Sequence, residues 1–160
     1  MGTFNVGAGE SVSELQVFEI QLRQRNIDKR LLSIIAKAIP YKILFILTFE
    51  GKAQAWIEAV GTFYNTEWQP ADDLVIKFDG LNLDAVYENV VRQIAGERLV
   101  KSGDDSDLAK AVENDKKRQK LEGEIAVLEK KVTSEKQFNK QVLLNGELKR
   151  LRKELDGVLG

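Results

Sequence analysis

The sequence predicts an α+β protein: a small, mainly antiparallel sheet with two packed helices, followed by a C-terminal antiparallel helical hairpin, a coiled coil. Three observations carry this. Ile39-Pro40-Tyr41-Lys42-Ile43-Leu44-Phe45-Ile46-Leu47-Thr48-Phe49 is nearly continuous in apolar residues and rich in β-branched and aromatic types, as in a strand buried on both faces. The segments around it alternate apolar and polar residues. After residue 107 that alternation stops, and apolar residues return at coiled-coil spacing. The divisions are an arm at 1–13, an α+β domain at 14–100, a linker at 101–107 and a helical hairpin at 108–160.

The arm is rich in glycine and small polar residues, which predicts a loose segment. In residues 15–22, Phe18, Ile20 and Leu22 fall on one face and Glu19 and Gln21 on the other, as in a half-buried strand. Asp28 is placed to cap a helix carrying Ile27, Leu31, Ile34, Ile35 and Ala38. Pro40 stops that helix, because the residue before a proline avoids helical backbone. The buried strand follows, and strand, helix, strand suggests a crossover if the two strands are parallel. Glu50-Gly51-Lys52 reads as a tight turn into a returning strand at 53–60. Residues 61–65 read as a loop, 66–68 as a short extended piece and 74–78 as a further alternating strand. Asp84 is placed to cap a helix with Val86, Tyr87, Val90, Val91 and Ile94 on its inner face, closed by Gly96.

In the last third, Leu121, Ile125, Leu128 and Val132 form one seam, and Leu148, Leu151, Leu155 and Val158 form a second. Between them the phase slips twice, so one straight helix would not keep both seams on one face. Two arms, at 108–133 and 142–158, with a turn at 137–141, resolve the conflict. Asn145-Gly146 is a competing turn signal, and an intermolecular coiled coil is the other solution.

Composition narrows function more than it names it. The 160 residues carry a net charge of −1, with no cysteine and no histidine. That removes a disulfide framework, a thiolate metal site and the side chain best suited to proton transfer near neutrality. No apolar run approaches the ~20 residues of a membrane span. No signal peptide is evident, and the cytoplasm is the expected location. Locally, charge is uneven. Residues 116–153 hold twelve Lys or Arg against five Asp or Glu. Such an excess either is a solvated face or tracks a phosphate backbone. The candidate nucleic-acid contacts are Lys130, Lys131, Lys136, Lys140, Lys149 and Arg150.

Gly7-Ala8-Gly9 is no phosphate loop, since no Gly-Lys-Ser/Thr follows. Glu19-Ile20-Gln21 faintly resembles the strand-borne acids of magnesium nucleases, but Arg23 and Lys42 do not sit at the alternation such a site needs. A polar outer strand face is the simpler account. Trp56, Trp68, Phe63 and Tyr64 cluster, either as core or as a stacking surface. Trp56 shares a face with Gln54 and Glu58, which marks it as the more exposed ring. Trp56, Trp68 and Phe138 are the candidate partner-binding residues. No catalytic residue, metal ligand or cofactor is assigned.

Residues 15–20, 37–45, 66–68 and 135–142, in that order, resemble an uncharacterised bacterial and archaeal domain family, catalogued as a domain of unknown function. The resemblance spans about residues 15–157. It implies a setting beside helicases and DNA methyltransferases in restriction-modification and phage-defence gene clusters. Family members are typically longer at the N-terminus and often carry an acid where Ala36 stands. The hairpin is also similar in pattern to the C-terminal coiled-coil arms of valyl-tRNA synthetases, which contact nucleic acid. The expected function is a non-catalytic accessory protein that docks on a helicase or methyltransferase and touches DNA or RNA with its hairpin. The alternatives are a magnesium-dependent nuclease using Glu19 and a homodimer zipped by its helices.

Overall fold

The structure is a computed structural model and describes residues 7–99 and 107–160. The arm at 1–6 and the linker at 101–106 lie outside the described residues. The chain divides into two compact units, residues 1–100 and 101–160.

The first unit is built on a sheet with strand order β1-β2-β3-β4. Strand β1 (Leu15–Gln21) pairs in parallel with β2 (Lys42–Phe49). Helix α1 (Lys29–Ala38) makes the crossover. Strands β3 (Lys52–Ala59) and β4 (Thr62–Asn65) complete an antiparallel meander, and β5 (Gln69–Pro70) pairs with the start of β3. Asp28 caps α1 by accepting from the Arg30 amide at 2.9 Å, and Ile39 ends it in extended backbone before Pro40. In β2, Ile43, Leu44, Phe45 and Leu47 are all buried, so the strand is covered on both faces. Leu32 of α1 packs among Ile43, Phe45, Leu47 and Trp56, with Phe18 and Ile20 of β1 against the same cluster. Helix α2 (Leu83–Ala95) packs on β3 and β4. It takes the other side: its Tyr87 ring lies under the Lys42 ammonium at 5.1 Å, and Lys42 points opposite to Phe45.

Several expectations are corrected. Residues 62–65, read as loop, are β4. Residues 74–78 alternate in burial but pair with no strand among the described residues. At Lys77 a side chain takes the backbone bonds instead. The Gln93 amide accepts from Lys77 N at 2.9 Å and donates to Lys77 O at 2.7 Å, taking the place of a neighbouring strand. Trp56 is the clearest correction, being only 6% exposed. Its polar neighbour Gln54 is buried with it and satisfied, accepting from Trp56 Nε1 at 2.8 Å and donating to Thr66 O at 2.7 Å. A polar residue on a strand therefore did not mark an outer face. Asp84 is not the cap of α2; Asn82 is, accepting from Ala85 N at 2.9 Å. The Asp84 carboxylate instead accepts from the backbone amides of Glu10, Ser11 and Val12, which ties part of the expected loose arm to α2.

The second unit is the hairpin. Helix α3 (Leu108–Ser134) and helix α4 (Phe138–Leu159) join their seams through Leu121, Ile125, Leu128, Leu148 and Leu151. The turn is Glu135 to Gln137, earlier than the spacing predicts. Asn145-Gly146 lies within α4.

Candidate nucleic-acid interface

Two side chains build the hairpin turn. Glu135 accepts from Gln137 N at 2.8 Å and so serves an open amide at the start of α4. Gln141 donates to Glu135 O at 2.7 Å and to Val132 O at 3.4 Å, serving open carbonyls at the end of α3. Glu135 and Gln141, six residues apart at a phase slip, are the signal by which the earlier turn could have been placed.

Beyond the seam, the arms are held by ion pairs. Arg152 bonds Glu129 across the hairpin at 2.7 Å, and Lys117 approaches Glu154 at 3.8 Å. On α3, Arg118 pairs with the buried Asp115 at 2.9 Å and Lys120 with Glu124 at 4.0 Å. These pairs involve the basic residues toward the open end. Lys130, Lys131, Lys136, Lys140, Lys149 and Arg150 are a different set. All six are exposed, and none makes an ion pair within the described residues.

They do not share one face. At ~100° of rotation per residue, Lys130 and Lys131 diverge, as do Lys149 and Arg150. Lys131 borders a shallow groove with Lys120, Gly123, Val127 and Leu144 along one side of the hairpin. Lys130 lies on the back of α3 with Ala126 and Thr133. The cations therefore surround the turn-side half of the hairpin. Residues 130–150 hold only two acids, Glu135 and Glu147; Glu122, Glu124 and Glu129 lie on the preceding turns of α3, and Asp107, Glu113, Asp115, Glu154 and Asp156 sit toward the open end among seven Lys and Arg. Around the turn itself, in residues 130–140, four lysines face one acid, so the local field there is positive. Phe138 is 75% exposed there, with Val142 one turn further on and also exposed.

The other candidate residues fall elsewhere. Trp68 is half-buried against the core of the sheet. Glu19 is exposed on β1, and no group of three or more Asp, Glu, His or Cys is placed to hold a metal among the described residues. A cleft of about 200 Å³ opens between α1 and the starts of β1 and β2, lined by Ser13, Glu14, Ala36, Tyr41, Lys42 and Glu58. Ala36, where the resemblance implies an acid in relatives, thus lines this cleft while also packing against the core cluster.

By class, then, this is an α+β domain carrying a C-terminal antiparallel helical hairpin. The chain belongs to the family described as Domain of unknown function (DUF4391), whose profile matches residues 2–155. No curated protein and no solved structure matches it.

Proposed function

We propose that the chain is a non-catalytic accessory protein of a bacterial defence system, docking on a helicase or DNA methyltransferase, with its hairpin contacting nucleic acid. The observation that carries the nucleic-acid part is the free state of the six cations. A lysine paired with a carboxylate must give up that partner before it meets a phosphate; these have none to give up among the described residues. Exposed Phe138 adds an aromatic ring beside them, suited to stacking on a base or filling a pocket of a protein partner. The helicase or methyltransferase setting comes from the family resemblance, and co-purification from the native host tests it. Recovery of neither enzyme class would remove that half of the reading.

Anisotropy titrations of duplex and single-stranded DNA and RNA across a salt series test the other half. Each phosphate contact contributes roughly 0.7–0.9 to the slope of log K against log salt. Changing Lys130, Lys131, Lys136 and Lys140 together to Glu should abolish binding or flatten that slope by about three. Unaltered affinity and slope would remove nucleic acid as the hairpin's target.

A further inference from the structure

The free edge of the sheet and one flank of α1 form a continuous surface. Lys42 N donates to Glu14 O, and Leu22 N to Thr48 O. Even-numbered residues of β1 therefore aim their backbone groups at β2. The amides and carbonyls of Leu15, Val17, Glu19 and Gln21 aim away, where no strand pairs with them among the described residues. Edges of this kind are usually blunted by charged side chains, lysine above all, by proline or by a bulge. Leu15-Gln16-Val17-Phe18-Glu19-Ile20-Gln21 has no lysine or proline and a single charge, Glu19, and Val17 is 49% exposed.

Helix α1 extends the same surface. The Lys29 ammonium lies 5.4 Å from the centre of the Trp56 ring, so that flank of α1 is turned toward β3. Leu31 and Ile34 lie ~200° and ~140° around the helix from Lys29, and so on the flank away from β3, toward the edge of β1. They are 55% and 64% exposed. An apolar helix flank thus stands beside an open strand edge.

We infer that two copies of this chain pair through β1, antiparallel about a two-fold axis at Phe18, with the two α1 flanks meeting over the joint. The occupant is a second copy because the edge is complementary to itself. Centred on Phe18, Val17 faces Glu19, Leu15 faces Gln21 and Gln16 faces Ile20 of the other copy. All seven residues of the strand pair, no like charges oppose, and about eight backbone hydrogen bonds form. Centring on Glu19 would set two carboxylates face to face, and centring on Val17 leaves the end of the strand unpaired. The helices fit the same operator. With strands ~4.8 Å apart, a helix centred on β2, where Leu32 packs, stands ~7 Å from the axis. Its symmetry mate is then ~14 Å away, a gap that the exposed Leu31 and Ile34 side chains of both copies extend into. This joint would extend the sheet across both copies, and it stands independently of what the hairpin binds.

Sedimentation equilibrium of the full chain tests it, with circular dichroism as the control for folding. The wild type should be a dimer at ~50 µM, and Val17→Lys or Ile34→Lys, each at an exposed position, should raise its dissociation constant ~100-fold or more while leaving the spectrum unchanged. The chain has no cysteine, so register can be read directly. A mixture of Val17→Cys and Glu19→Cys proteins should oxidise to a disulfide-linked pair faster than either alone. A monomeric wild type overturns the proposal, as does a dimer unaffected by both lysine variants or preferential linkage of Val17→Cys to itself.

Discussion

Asp84 shows how one side chain can fix a segment that composition leaves loose. Its carboxylate accepts from Glu10 N at 2.7 Å and Val12 N at 2.7 Å, with Ser11 N slightly further away. Gly9 completes the site, since a Cβ there would collide with the carboxylate. Burial acts to raise the Asp84 carboxyl, but the amide donors of Ser11, Val12 and Glu10 together outweigh it and hold it below its ordinary value. A group depressed in the folded state contributes stability above its unfolded value and loses it as pH falls through the folded one. Asp84→Asn should therefore lower Tm at pH 7, and the gap to the wild type should narrow as pH falls below about 4. Melting curves from pH 7 to pH 2.5 check this; a gap that stays constant would mean that the carboxylate charge is not what holds the arm. None of this was legible from spacing, because residues 10–12 and 84 are far apart in sequence and an aspartate at a helix start reads first as a cap.

At the scale of elements, what the sequence revealed depended on whether a segment's neighbours were local. Strand β2 was legible because burial on both faces leaves a continuous apolar run. The hairpin was legible because a phase slip within a helical pattern has few geometric solutions. Residues 74–78 were misread because alternation reports one covered face and not a partner strand; Gln93 stands where that strand would be. Trp56 was misread because parity assigned Gln54 to water, while the fold buries Gln54 with its hydrogen bonds made. The hairpin also carries helix-breaking residues that serve no local purpose. At Gly123 and Gly146, both inside helices, an added Cβ would meet nothing. Gly123→Ala and Gly146→Ala should each stabilise the hairpin by about 0.5–1 kcal/mol. Thermal denaturation followed at 222 nm gives the shift, and a lowered Tm for Gly146→Ala would show that the Asn145-Gly146 position needs backbone freedom that α4 does not display.

For the molecule as a whole, the net charge of −1 conceals a separation of charge. Around the hairpin turn, residues 130–140 hold four lysines without an ion pair among the described residues against one acid, so a polyanion would meet local attraction there. Overall charge would forbid such binding; local charge permits it, and the two accounts differ in their response to pH. With neither histidine nor cysteine, the chain has no side-chain type that ordinarily titrates near neutrality. If binding follows the local cations, affinity for DNA or RNA should change less than about twofold between pH 6 and pH 8 at fixed salt. It should rise only in acid, where carboxylates in general are neutralised and cease to repel phosphates. Anisotropy titrations at pH 5, 6, 7 and 8 measure it. A steep change across neutrality would have to come from the nucleic acid or from the terminal amine, since no side-chain type in this sequence ordinarily supplies one. Such a result would turn attention away from the lysines of the turn.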